Sequence, residues 1–125
     1  MHLRVEVRGP ASAEVMWSAY ADTSRWSGWA PQIRRIDPEG PLVEGMEGQV
    51  HGPWGTNAHF EVSLVDRAAG RWAWRVHAGP AHLGIHHEVA DGVTAVEIQG
   101  PAPFVLAYAP VARLALERLA RSTRD

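Results

Sequence analysis

From residue 49 to residue 99 the chain repeats one device. Short stretches alternate apolar and polar side chains, and turn residues separate them. Ala58-His59-Phe60-Glu61-Val62-Ser63-Leu64 alternates, as do Trp72-Ala73-Trp74-Arg75-Val76-His77 and Val93 to Gln99. A period of two belongs to a strand with one face buried and one face wet. Between two such stretches stands Asp91-Gly92, the pair favoured in a two-residue type I′ hairpin turn. That turn sets the register. Ala90 must face Val93, with Val89 opposite Thr94, His87 opposite Val96 and Ile85 opposite Ile98. On the other face Glu88 meets Ala95 and His86 meets Glu97, so that face is the wet one. The same alternation puts Phe60, Val62 and Leu64 inside with Trp72, Trp74 and Val76. His87 is then the one ionisable side chain on the inner face of these four strands.

The remaining elements complete the sheet and cover it. Residues 3–8 alternate strictly and form a first strand that ends at Gly9-Pro10. Residues 11–20 read as a short helix with Ser12 as its cap, and Asp22-Thr23 can cap a second helical turn carrying Arg25 and Trp26. Residues 33–37 make a weak strand, residues 38–48 a loop, and residues 49–54 a further strand. Residues 104–121 form the last helix. Phe104, Tyr108, Val111, Ala115 and Leu119 share one face, and Arg113, Glu117, Arg121 and Arg124 the opposite one. Pro110 predicts a kink or a late start. The fold class is α+β. One antiparallel sheet of seven strands needs a cover, and the C-terminal helix is the only element long enough to supply it.

Composition removes most chemistry. The 125 residues suit one domain. Cysteine is absent, and all 12 basic residues are arginine. Thiolate nucleophiles, cysteine metal sites, Schiff bases and a phosphate-loop lysine are therefore excluded. A net charge of -2 supplies no field for nucleic acid. Residues 104–112 make the longest apolar run, half a membrane span. The first ten residues hold no apolar signal core, which points to the cytoplasm. The arginine and alanine bias suggests a bacterial source. His82, His86 and His87 have metal-like spacing only on a helix. On a strand the first two lie ~13 Å apart and the third faces the other way, so no metal or cofactor is expected.

At this point the chain resembles the START-like, or Bet v 1-like (SRPBCC), superfamily, and within it the polyketide cyclase/dehydrase group. The element order matches over residues 2–124. The most specific segment is Tyr20-Ala21-Asp22-Thr23-Ser24-Arg25-Trp26-Ser27-Gly28-Trp29-Ala30-Pro31, where such proteins often place an Asp, two Trp and a Pro after the first helix. Gly45 and Gly48, Arg71-Trp72-Ala73-Trp74-Arg75 and His87 extend the match. The resemblance implies a helix-grip fold over residues 1–125, in which a curved seven-stranded sheet wraps the C-terminal helix around a cavity, with two short helices after the first strand. Related members bind lipids, sterols, polyketides or plant hormones. Some catalyse cyclisation or dehydration, and others act through protein partners. Fold alone does not choose among these.

Six tryptophans in so short a chain are the surplus to explain. Trp17, Trp26 and Trp29 read as packing. Trp72 and Trp74 point inward beside Phe60, where they either line or fill the cavity. Trp54 joins them if its strand parity turns it inward. Tyr108 can orient a ligand hydroxyl. Arg118, within the apolar arc of the helix, either snorkels to the edge or meets an anionic group inside. The expected ligand-binding set is therefore Trp54, Phe60, Trp72, Trp74, His87, Tyr108 and Arg118. The leading reading is a binder of an apolar or aromatic small molecule. One alternative is an aromatase/cyclase-type enzyme with His87 as acid–base. Another is an interaction module with a filled core, and a homodimer is an open state.

Overall fold

A computed structural model describes residues 1–122. Arg124, expected on the outer face of the last helix, lies outside the described residues. The chain runs β1 (His2–Arg8), α1 (Ala13–Ala21), a 3-10 turn (Thr23–Gly28), β2 (Arg35–Asp37), β3 (Glu47–His51), a second 3-10 turn (Pro53–Gly55), β4 (Asn57–Asp66), β5 (Arg71–Ala78), β6 (Ala81–Ala90), β7 (Val93–Gln99) and α2 (Ala102–Ala120). The strands form one antiparallel sheet in the order β1-β7-β6-β5-β4-β3-β2. Consecutive strands from β2 to β7 are neighbours, and β1 closes the far edge against β7.

The expected hairpin register holds: Ala90 pairs with Val93, His87 with Val96, and Ile85 with Ile98. One expectation fails on β4. Phe60 pairs with Val76 and Val62 with Trp74, but a bulge then shifts the register, so Leu64 meets Ala73 and Val65 meets Trp72. An extra residue on one strand reverses the side-chain parity beyond it. Val65 therefore takes the inner position expected of Leu64 and packs against the core.

The caps follow the sequence. Ser12 Oγ accepts from the Val15 amide at 3.1 Å, and Asp22 Oδ1 accepts from the Ser24 amide at 3.0 Å. The Ser24 hydroxyl and amide together hold the Asp22 carboxyl below the usual range. α2 runs through Pro110 without a break. Its buried residues are Val105, Ala112, Ala115, Leu116, Leu119 and Ala120, a face rotated from the expected one. Phe104 and Val111 are only half-buried, and Leu114 is exposed. The small alanines let the helix sit close to the sheet. A Cβ on Gly9 would lie 2.5 Å from the Ala120 carbonyl oxygen, so β1 meets the helix end at a contact only glycine permits. The outer sheet face is charged: Arg4 reaches Glu6, Glu88 and Glu97, and Arg75 faces Glu61. Solvent screens these exposed pairs, so they add little to stability.

Candidate functional site

Sheet and helix leave a space between them beside the turn that follows α1. The space there is lined by Trp72, Trp74, His87 and Val96 from the sheet and by Tyr108, Ala112, Ala115 and Leu116 from α2. Tyr20, Trp26, Trp29, Gln32 and Ile33 close its end. Its volume is ≈ 20 Å³, enough for about one water molecule and far below a small-molecule site of roughly 300–1,000 Å³. The aromatic rings take up the rest. Trp26 lies 5.1 Å from Trp72 and 5.2 Å from Trp74, centroid to centroid, and Trp72 lies 5.4 Å from Trp74. Such edge and tilted contacts each add about 0.5–1.5 kcal/mol beyond the area they bury.

His87 sits in the middle of this cluster. Its ring stacks on Trp72 at 3.8 Å with an interplanar angle of 2°, and Tyr20 meets it edge-on at 5.4 Å. Nδ1 lies 3.3 Å from the Trp72 carbonyl oxygen. A carbonyl can only accept, so the proton is on Nδ1 and Nε2 is left as an acceptor. Burial pushes the imidazole pKa down to about 3; the backbone bond opposes this weakly. His87 is therefore neutral across the physiological range. A group so placed is suited to hydrogen bonding rather than to releasing a proton.

Two tyrosines flank it. Burial raises the Tyr20 hydroxyl above its ordinary value. The Thr94 hydroxyl is close enough to oppose that shift, but its own proton goes to the Glu88 carbonyl at 2.9 Å, and Tyr20 Oη makes no regular hydrogen bond. Tyr108 is also raised by burial, less so because Gln32 Nε2 donates to its hydroxyl at 3.0 Å. Gln32 and Tyr108 are both half-buried, so this bond stands where the cavity nears solvent. It ties the segment after the first 3-10 turn to the middle of α2.

Of the expected site residues, Trp72, Trp74, His87 and Tyr108 come together here. Phe60 is fully buried but sits behind Trp74, 5.4 Å away, and does not reach the cavity. Trp54 is a correction. The strand expected over residues 49–54 ends at His51, and Trp54 occupies the left-handed region (φ 57) in the following turn. It is 94% exposed and does not line this cavity. Arg118 is a second correction: it is exposed on α2 and does not line this cavity. Sequence reasoning missed Tyr20, Trp26, Trp29 and Gln32 as cavity residues. Trp26 and Trp29 read as packing because they stand in an irregular turn, where no period says which way a side chain points. The signal that could have found them is the Asp22 cap, which folds the turn back onto the sheet and lets Trp26 Nε1 donate to the Tyr20 carbonyl at 2.9 Å.

No protein-family model and no curated protein matches the chain. Solved structures do. The protein XoxI from Bacillus cereus is 14% identical with a TM-score of 0.74, covering 95% of this chain and 92% of its own. Ara h 8.0201, a Bet v 1 allergen, is also 14% identical, with a TM-score of 0.71 and coverage of 96% and 95%. The protein MLL2253 from Mesorhizobium loti is 16% identical, with a TM-score of 0.74 and coverage of 96% and 94%. The chain has a Bet v 1-like fold. Nothing in these likenesses singles out the polyketide cyclase group within that fold. Among the described residues no helix is long and apolar enough to cross a membrane.

Proposed function

We propose that this Bet v 1-like domain, taken as one unit over residues 1–125, binds a small apolar molecule between the sheet and α2. The observation that carries the reading is the aromatic cavity between sheet and helix, beside the hydrogen bond between the half-buried Gln32 and Tyr108. At a volume of ≈ 20 Å³ the space admits a ligand only if it widens, and movement of the segment around Gln32 away from α2 would widen it. Breaking one neutral hydrogen bond costs about 0.5–1.5 kcal/mol, so an open state within reach of thermal motion is expected. Ligand burial then replaces ring-to-ring contacts with ring-to-ligand contacts of the same kind.

Binding is favoured over proton-transfer chemistry because burial makes His87 a weak base and its Nδ1 proton is held by the Trp72 carbonyl. The most specific segment behind the polyketide cyclase/dehydrase reading holds Asp22, Trp26, Trp29 and Pro31, and two of these have structural work to do: Asp22 caps a turn and Trp26 bonds the Tyr20 carbonyl.

The test is a melting-temperature panel of small aromatic and aliphatic compounds, with native mass spectrometry of freshly purified protein. We expect at least one aromatic compound to raise the melting temperature at a stoichiometry of one. Gln32→Ala, which removes the tie to Tyr108, should speed its association. If no compound in the panel shifts melting or mass, the binding reading falls.

A further inference from the structure

Several polar atoms around the cavity are buried without a partner, and most of them are donors. Four indoles border the space, and one of them, Trp26, gives its N–H to a backbone carbonyl. The other three, Trp29, Trp72 and Trp74, have buried N–H groups with no hydrogen-bond partner, and the Tyr20 hydroxyl is buried and unpaired as well. Trp72, Trp74 and Tyr20 are themselves almost wholly buried, at 2%, 5% and 0% exposure. The acceptors beside them are Gln32 Oε1, the Tyr20 oxygen itself and His87 Nε2, and none of these takes an indole N–H. An indole N–H can only donate. A cavity of ≈ 20 Å³ holds about one water, which can accept two hydrogen bonds and so cannot serve all four donors. Leaving a buried donor unpaired costs about 1–3 kcal/mol, and native cores rarely carry several together. Among the lining residues none is a formally charged side chain, since His87 is neutral.

Resting on the binding reading above, we propose that Trp29, Trp72, Trp74 and Tyr20 are the specificity determinants of this site, a cradle of hydrogen-bond donors that selects a neutral, planar ring compound bearing carbonyl oxygens. The rings supply flat apolar walls, and the donors select oxygen on the ligand. A hydrocarbon of the same shape leaves the donors unpaired. A carboxylate or an ammonium brings a charge that no lining side chain offsets. His87 Nε2 and Gln32 Oε1 allow one hydroxyl on the same ligand.

Indanone and indane test the idea, because they share a bicyclic skeleton and differ by one carbonyl oxygen. Partition out of water by itself favours indane, so the hydrophobic effect and the donor cradle predict opposite orders. Calorimetric titration of the intact protein should give indanone at least tenfold tighter binding. Trp74→Phe and, separately, Trp29→Phe should each cut the indanone-to-indane ratio by about three- to tenfold, whatever each does to the affinity for indane. Trp29 is only half-buried, so its variant serves if Trp74→Phe fails to fold. Equal binding of the two compounds, or variants that weaken both alike, overturns the donor cradle and leaves the binding site standing. No binding of either compound, together with a silent panel, overturns both.

Discussion

His87 should make the stability of this protein depend on pH in a way one substitution can remove. The folded imidazole has a pKa of about 3, because burial among Trp72, Trp74 and Tyr20 disfavours its charged form. Once unfolded it returns to about 6.5. Between these values the unfolded chain binds a proton that the folded chain refuses, so stability falls as pH falls. The contribution is fully present above about pH 7. At pH 5 the unfolded ring is one and a half units below its pKa, while the folded ring is still neutral. At about 1.4 kcal/mol per unit, His87 then costs about 2 kcal/mol relative to pH 7.5. For a chain of 125 residues that corresponds to roughly 8 °C in melting temperature. The measurement is urea unfolding at pH 7.5 and pH 5.0, for the natural protein and for His87→Phe. Phe keeps the stack on Trp72 and cannot take up a proton. Titrations elsewhere are common to both proteins and cancel in the comparison. The variant should lose about 2 kcal/mol less than the natural protein over this range, whatever its stability at pH 7.5. Equal losses would mean that the histidine is not buried and uncharged as described.

Two further substitutions test the fold around the site. Trp54→Gly should leave ligand binding unchanged and raise stability by up to about 1 kcal/mol in urea titrations, because glycine adopts the left-handed backbone that a tryptophan there resists; lost binding would place the 94% exposed ring in the site after all. Gly9→Ala should destabilise by about 1–3 kcal/mol, since its Cβ would come within 2.5 Å of the Ala120 carbonyl oxygen and force α2 away from β1; unaltered thermal unfolding would show that the helix end is not seated there.

Much of the sheet was legible because strand periodicity and hairpin chemistry are local. The Asp91-Gly92 turn specified every pair of the β6–β7 ladder, and through it His87 as the inward histidine. The same reasoning failed at Leu64, where a bulge moved the inner position to Val65. No residue type announces a bulge, because both residues suit a strand and the register is settled by the partner. It failed again at Trp54, where a parity counted along the strand ran past the point at which Gly52-Pro53 had ended it. On α2 the apolar arc was broad enough to be turned either way. Packing of the alanines against β1 and β7 chose the face, and Arg118 fell outside it.

The alternation of residues 49–99, the capped turns at Ser12 and Asp22, and the length of α2 were enough to specify a seven-stranded sheet gripping a helix, because each depends on neighbours close in the chain. The missing cysteine and lysine narrowed the chemistry in the same direct way. Whether the tryptophans line a cavity or fill it was settled only in three dimensions. Trp26 and Trp29 arrive from an irregular turn, meet Trp72 and Trp74 from the sheet and Tyr108 from the helix, and leave ≈ 20 Å³ between them. Free volume and unpaired donors belong to the way several segments meet, and no single segment carries that information.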